Sequence, residues 1–388
     1  MSSPLLTHPL LTACGRAAIA VLTALACSAA QPAKAADDLT SLSVEFNDAT
    51  SLSGFKRVYQ VEGWGANQLE LLDVNATSPG RLVMMPYTST WYQDWRGVLM
   101  FKNVTGDFVV TTDVEPTRRS GSGAPTADYS LAGIMARTPR GITNALTQWT
   151  AGHENYVFLS LGSATSPGVF QYEVKTTVDS ASTLIIAPGI SRSAIQVARL
   201  GSAMIMLRDD GGGNWVVHRR YARPDMPAAL QVGLTTYTDW SHANQLAPFA
   251  HNQTVITNGT PDLIARFDYL RFCRPQVPSN LVGLVFTDTN QVSDADLLSF
   301  LGTHANVAST NELSVALGLP DAATNLWLSF PTQTGTTYAV EYKPGAADEM
   351  WSELMRAAGT GSVVTGSDPA IVSVTGRVYR VREVMADE

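Results

Sequence analysis

Three short stretches of this 388-residue chain bring flat aromatic rings together with hydrogen-bonding side chains. Trp91-Tyr92-Gln93-Asp94-Trp95-Arg96 packs three rings into five positions. Trp149, His153, Glu154, Asn155 and Tyr156 form a second group, and Tyr237, Asp239, Trp240 and His242 a third. Sugar rings carry apolar C–H faces that stack on such aromatics, while their hydroxyls need partners of the Asp, Asn, Gln, Arg or His type. The competing use of the same residues is packing, because large sheets take Trp and Tyr as core plugs and edge covers. Arg137 ends an otherwise small and apolar strand, so its cation either reaches a cleft or caps the sheet edge. Trp91, Trp95, Arg137, Trp149, His153, Glu154, Tyr237, Asp239 and Trp240 are therefore the candidate ligand contacts.

Other chemistries find less support. Hydrolysis of a glycosidic bond usually needs two carboxyl groups about 5–10 Å apart. Asp113 and Glu115 share a strand face, but they run into Pro116 and read as a solvated strand end. Glu154 pairs with Asp239 only if the fold brings them together. No His/Cys spacing suggests zinc. Asp209, Asp210 and Asn214 in the Asp209–Asn214 turn have the oxygen ligands that Ca²⁺ takes, yet a tight hairpin demands the same residue types. The expectation is no catalytic group and no cofactor, with a structural Ca²⁺ as the alternative.

Period-two alternation dominates the elements that must position these residues. The segment from Ile195 to Tyr221 reads as consecutive antiparallel strands around a turn rich in Asp, Gly and Asn, with Trp215 opening a strand. Phe170, Tyr172, Val174, Thr176 and Val178 alternate with Gln171, Glu173, Lys175 and Thr177, the pattern of a half-buried strand. Further strands are expected at Phe108–Val114, Arg81–Met85, Tyr129–Arg137, Tyr156–Leu161, Leu184–Ala187, Leu230–Thr236 and Leu263–Phe272. Pro275 to Asn280 reads as a boundary. Ser293 is placed as the N-cap of a short helix ended by Gly302. Strand-like runs at Trp327–Phe330, Thr337–Tyr342 and Arg377–Arg382 make a small β domain. The fold class is all-β: a large two-sheet sandwich at 37–275, a linker with a short helix at 276–310, and a small sandwich at 311–388.

Residues 1–36 read as a signal peptide, with Arg16, an apolar run from Ala17 to Ala30 and an Ala33-Lys34-Ala35 cleavage pattern. Removing residues 1–35 takes away two cations and no acid, which moves the net charge from −8 to about −10. A diffuse acidic surface argues against nucleic acid and anionic membranes. Only Cys273 lies beyond the leader, so no intrachain disulfide forms, and its expected place is a buried strand. The compartment expected is secreted, periplasmic or cell-surface.

Five stretches between Ser43 and Arg274 resemble, in order, bacterial β-sandwich domains of the concanavalin A-like lectin/glucanase superfamily. They are Gly97–Val114, Ala132–Arg137, the Val197-x-Arg199-x-Gly201 strand leading to Asp-Gly and Trp215, Gln231–Thr236 and Arg266–Phe272. The resemblance implies a jelly roll, a ligand along its concave sheet and an Arg137 that points along that face. Laminarinase-like members carry Glu-x-Asp-x-x-Glu on one strand, and no such run occurs here. Lyases on a related scaffold use Tyr, His, Gln or Asn, and Arg, but their Arg-x-Glu-x-Arg and Gln-Ile/Val-His motifs are absent. Trp351, Gly359-Thr-Gly361, Asp368-Pro369 and Tyr379-Arg380 resemble a fibronectin type III-like module of exported bacterial proteins, usually a spacer or attachment domain to a cell surface or envelope. The function expected is an exported, lectin-like protein that binds a polysaccharide. A glycoside hydrolase or polysaccharide lyase on the same sandwich, and a cell-surface structural or adhesion protein, remain the alternatives.

Overall fold

The computed structural model describes residues 37–302, and beyond them 316–318, 326–332, 337–344, 350–359, 363–368 and 377–384. The expected leader, the 303–310 end of the expected linker, and the Gly359-Thr-Gly361 turn past Gly359 lie outside the described residues.

Fifteen strands build the large sandwich: β1 (Lys56–Arg57), β2 (Leu69–Val74), β3 (Leu82–Pro86), β4 (Val98–Thr105), β5 (Phe108–Thr117), β6 (Ser130–Arg137), β7 (Tyr156–Ser163), β8 (Gln171–Val178), β9 (Ala181–Pro188), β10 (Ser193–Leu200), β11 (Ala203–Asp209), β12 (Trp215–Ala222), β13 (Ala229–Tyr237), β14 (Ile264–Phe267) and β15 (Arg271–Cys273). One sheet has the order β1-β4-β13-β6-β7-β8-β9. The other runs β12-β11-β10-β5-β14-β3-β2, with β15 also paired to β5. Every pairing is antiparallel, and sequence-distant neighbours such as β4–β13 and β5–β10 give the crossed connections of a jelly roll. Short helices sit in the connections: α1 (Val58–Val61), α2 (Ala145–Gln148), α3 (Trp240–Ala243), α4 (Pro248–Gln253) and α5 (Asp294–Leu298).

The alternating positions do what period two requires. Val110, Val197 and Met206 from one sheet meet Ile134, Leu159, Val174 and Val232 from the other in the main core. The outward faces depart from a simple sandwich, because both are covered. Every residue of β6 and β7 is buried. Leu131, Met135, Phe158, Phe101 and Tyr237 point away from the main core and join Trp91 and Val58 in a second cluster. Glu173, Lys175 and Thr177 on β8 are buried too. The half-buried strand expected there is corrected: its polar face lies under the loops rather than in water.

A third cluster corrects the expected linker over its described part. Leu281, Val292, Leu297, Phe300 and Leu301 pack on Val109, Ala198, Ile205 and Leu207 at the outer face of the second sheet. The Ser293 cap is as expected, in a full capping box with Asp296. Residues of the 276–302 segment are thus packed on the large sandwich. The single strand expected at Leu263–Phe272 is two, β14 and β15, because the pairing with β5 slips by one residue between Phe267↔Val114 and Arg271↔Thr111, where Leu270 bridges to Val44 instead. Cys273 is a buried strand residue whose thiol is pushed up to about 12 by burial.

The Asp209–Asn214 turn is a hairpin between β11 and β12. Gly211, Gly212 and Gly213 take left-handed φ values of 111, 67 and 82°. The Asp209 carboxylate accepts the Gly211 and Gly213 amides, and Asp210 pairs with Arg208. These carboxylates are turned to the hairpin itself. The C-terminal residues form two three-stranded sheets, β16 (Ala316–Gly318), β17 (Leu326–Pro331) and β20 (Val363–Asp368) in one, β18 (Thr337–Lys343), β19 (Ser352–Ala358) and β21 (Val378–Val384) in the other. Leu328, Phe330, Tyr338 and Val340 make their small core.

Leu297→Ala tests the docking of the connector. A cavity at this fully buried position lowers unfolding stability by about 2–4 kcal/mol. Urea denaturation reads the loss as an earlier midpoint, whereas a detached linker gives no change.

Candidate functional site

The outer face of the seven-stranded sheet carries a floor, a set of braces and a small cavity. Lys175, on β8, is the floor. Its side chain is almost wholly buried, and its ammonium donates to the Trp91 carbonyl at 2.6 Å and pairs with Glu173 at 2.8 Å. The rings of Phe158, Tyr92 and Tyr237 stand 5.0, 5.3 and 5.7 Å from the ammonium. Burial pulls the amine below its ordinary 10.5, against the attraction of Glu173. Burial and then the Glu173 charge beside it push the Tyr237 phenol well above its ordinary 10.

Above Lys175 lies a cavity of about 200 Å³ lined by Thr90, Tyr92, Tyr129, Leu184 and Trp240. Trp240 is its principal wall. Its ring meets Tyr92 at 5.3 Å, Trp95 at 5.9 Å and Tyr129 at 6.4 Å, each edge to face. The backbone around it is held in unfavourable conformations. Gln93, Tyr129 and Asp239 are non-glycine residues with left-handed φ, at 49, 46 and 67°. Asp239 sustains the strain through its contacts. Its amide donates to the Asp128 carbonyl at 3.0 Å, and its carboxylate accepts Thr88 at 2.7 Å and the Thr260 amide at 2.6 Å and meets His242 Nδ1 at 2.7 Å. That set fixes where α3 begins, and so where Trp240 points.

The turn at residues 91–96 forms the opposite wall and is tied to three elements. The Gln93 amide donates to Ser182 on β9, Asp94 accepts Ser180 and Gly152, and Asn252 of α4 donates to the Asp94 carbonyl. Trp91 anchors the turn from below. Its indole donates to the Val98 carbonyl and lies so close to Gly97 that a Cβ there would sit 2.8 Å from the ring. Only glycine fits at 97.

Beside Trp91 runs a network of buried charge. The Arg137 guanidinium holds Glu154 through two hydrogen bonds of 2.8 and 3.0 Å, Glu62 at 2.7 Å and Gln231 at 2.8 Å. Arg140 reaches Glu154 as well, at 3.2 Å. Burial opposes the charge on Arg137, but Glu154 and Glu62 outweigh it and raise its pKa. The same pairing holds the Glu154 carboxyl below its usual 4.5 despite burial. Arg96 is brought down to about 10 by burial, against the pull of Glu62, while it donates to the Ala66 and Asn252 carbonyls. His251, buried beside Asn252, is lowered to about 4 by desolvation.

The nine sequence-derived candidates therefore separate. Trp240 lines the cavity and Trp95 backs it. Trp91 and Tyr237 lie fully buried beneath, so neither presents a face to a ligand. Arg137 and Glu154, expected as polar ligand contacts, are corrected to internal ion-pair members, since neither reaches solvent. Asp239 is a buried brace rather than a contact. Trp149 lies tilted against Phe249 at 5.4 Å and edge to face with Trp64 at 6.0 Å, in a separate aromatic patch crossed by Arg140. His153 is exposed and does not line the cavity. Lys175, Tyr129, Thr90 and Leu184 were missed. The signal for Lys175 was a charged pair, Glu173 and Lys175, on one face of a strand in a chain with only 15% charged residues.

No family model matches the chain, and none of the curated proteins matches it. Several solved structures are similar to part of the chain at low identity. A functionally unknown protein from Saccharomyces cerevisiae is 14% identical with a TM-score of 0.40, over 58% of this chain and 98% of its own. The GH43 protein BlXynB from Bacillus licheniformis is 12% identical with a TM-score of 0.39, over 61% of this chain and 40% of its own. This chain thus spans about two-fifths of BlXynB. Arcelin-5, a lectin-like defense protein from Phaseolus vulgaris, is 9% identical with a TM-score of 0.35, over 59% and 96%. These are likenesses alone; the jelly-roll assignment rests on the strand order and on the packing of the two sheets.

Two measurements test the buried charges. Arg137→Met leaves Glu62 and Glu154 buried without their cation and lowers stability by about 3–5 kcal/mol in urea denaturation. His251 gains a proton near 6.5 when unfolded and near 4 when folded, so the unfolded chain binds more protons between those values. Stability falls as pH drops from about 6.5 to 4, by up to about 3 kcal/mol from this group. The fall is smaller in His251→Gln. Glu154 adds a loss at lower pH, as its carboxylate protonates below its usual range.

Proposed function

We propose that this is an exported carbohydrate-binding protein whose ligand sits in the cavity above Lys175. The observation that carries the reading is the cavity's lining: Trp240, Tyr92 and Tyr129 supply aromatic surface, and Thr90 and Lys175 supply polar groups within the same small space. An aromatic platform with a few convergent polar groups matches the two-faced chemistry of a sugar ring. The resemblance in sequence to lectin and glucanase sandwiches points the same way.

Binding is favoured over cleavage on one ground. None of the residues that line the cavity is an Asp or Glu, and Glu173 below it is engaged by Lys175. A glycosidase-type carboxyl pair flanking a bound sugar has no basis in that lining. Export rests on the leader reading, and surface or envelope attachment on the fibronectin type III-like reading of residues 311–388.

Affinity electrophoresis and titration calorimetry against a glycan panel test the proposal, with product analysis in parallel. Retention without new reducing ends or unsaturated products is the expected outcome. Trp240→Ala and Tyr129→Ala each weaken binding at least tenfold, a loss of about 1.4 kcal/mol or more. Glycan binding untouched by both substitutions removes this cavity as the site, and turnover of any polymer overturns the binding reading.

A further inference from the structure

The shape and charge of the cavity say more about the ligand than its aromatic lining does. A groove that binds the middle of a polysaccharide must let the chain enter on one side and leave on the other. Beneath the 91–96 turn the outer face of the seven-stranded sheet is filled by Trp91, Phe158, Tyr156 and Tyr237. What is left open is about 200 Å³, below the roughly 300–1,000 Å³ of ordinary small-molecule sites. Its walls come from four separate places in the chain: the 90–92 turn, Tyr129 before β6, Leu184 on β9, and Trp240 on α3. Lys175 closes the floor. That is room for about one ring.

Charge restricts the ligand further. Lys175 is the one charged residue in the lining, and its ammonium already faces Glu173 at 2.8 Å and the Trp91 carbonyl at 2.6 Å. A carboxylate on the ligand would enter a poorly solvated space beside the Glu173 charge, and would have to share one cation with it. A hydroxyl or an amide carbonyl carries no such cost, and an ammonium can donate to either.

We propose that the cavity takes a single uncharged sugar residue at the end of a glycan chain, seated against Trp240 with a hydroxyl or amide oxygen on Lys175, and that it excludes mid-chain segments and uronic acids. This deepens the carbohydrate-binding reading and rests on it.

Calorimetric titration of the full chain without its leader provides the test. The probes are neutral hexoses, xylose and N-acetylhexosamines, linear oligomers of two to six residues ending in each, and glucuronate and galacturonate. Binding of at least one neutral monosaccharide is expected, with its oligomers within about threefold of it and the uronates at least tenfold weaker. Leu184→Trp, which fills the mouth from an edge strand, abolishes binding while far-ultraviolet circular dichroism stays unchanged. Affinity that climbs tenfold or more with chain length, or uronates that bind as well as neutral sugars, overturns the end-residue assignment and leaves carbohydrate binding intact. Absence of binding to every probe and to the polysaccharide panel defeats the carbohydrate reading itself, and this inference with it.

Discussion

A lysine ammonium buried on the outward face of β8, the strand next to the sheet edge, is the constraint that organises this face of the sandwich. Lys175 cannot keep its charge there without compensation. Glu173 supplies the anion from two residues away on the same strand face, Trp91 supplies a carbonyl, and three rings supply their negative faces. Each partner comes from an element that must be held in place. Trp91 comes with the 91–96 turn, which needs β9 and α4; Tyr237 comes with the end of β13, which leads into strained Asp239 and then Trp240. Satisfying one buried cation thus positions most of the walls of the cavity above it.

The Arg137 network does comparable work at the neighbouring end of the face. Loops over a sheet bury backbone and polar side chains that water would otherwise satisfy. Arg137 answers two carboxylates and a glutamine amide, Arg96 answers two carbonyls, and together they secure α1, α4 and the 138–155 loop against the strands. Charge that resembles a ligand site by residue type is here the means by which a covering layer is attached.

Much of the architecture was legible in the sequence because it depends on local signals. Tyr172 and Val174 alternate toward the core, glycines allow the 211–213 turn, and Ser293 caps its helix with Asp296 three residues on. The covering layers were not legible. A polar strand face under a loop reads the same as a polar face in water, so Glu173 and Lys175 looked solvated. Residues 276–302 were read as a linker because prolines mark the boundary, while the apolar side of α5 finds its partner only on the sheet's outer face. The aromatic stretches around residues 91–95 and 237–240 were singled out in the sequence, but which ring lines the cavity and which plugs the core depends on loop placement. Trp91 and Trp240 have similar sequence surroundings and opposite roles.

A crystal structure of the protein with a bound neutral monosaccharide tests the central claim most directly. The account places one sugar ring against Trp240 and Tyr129, with an oxygen in hydrogen-bond reach of Lys175 and no displacement of the Glu173 pair. A sugar seated instead on the Trp149–Phe249 patch, with the Lys175 cavity empty, would contradict it.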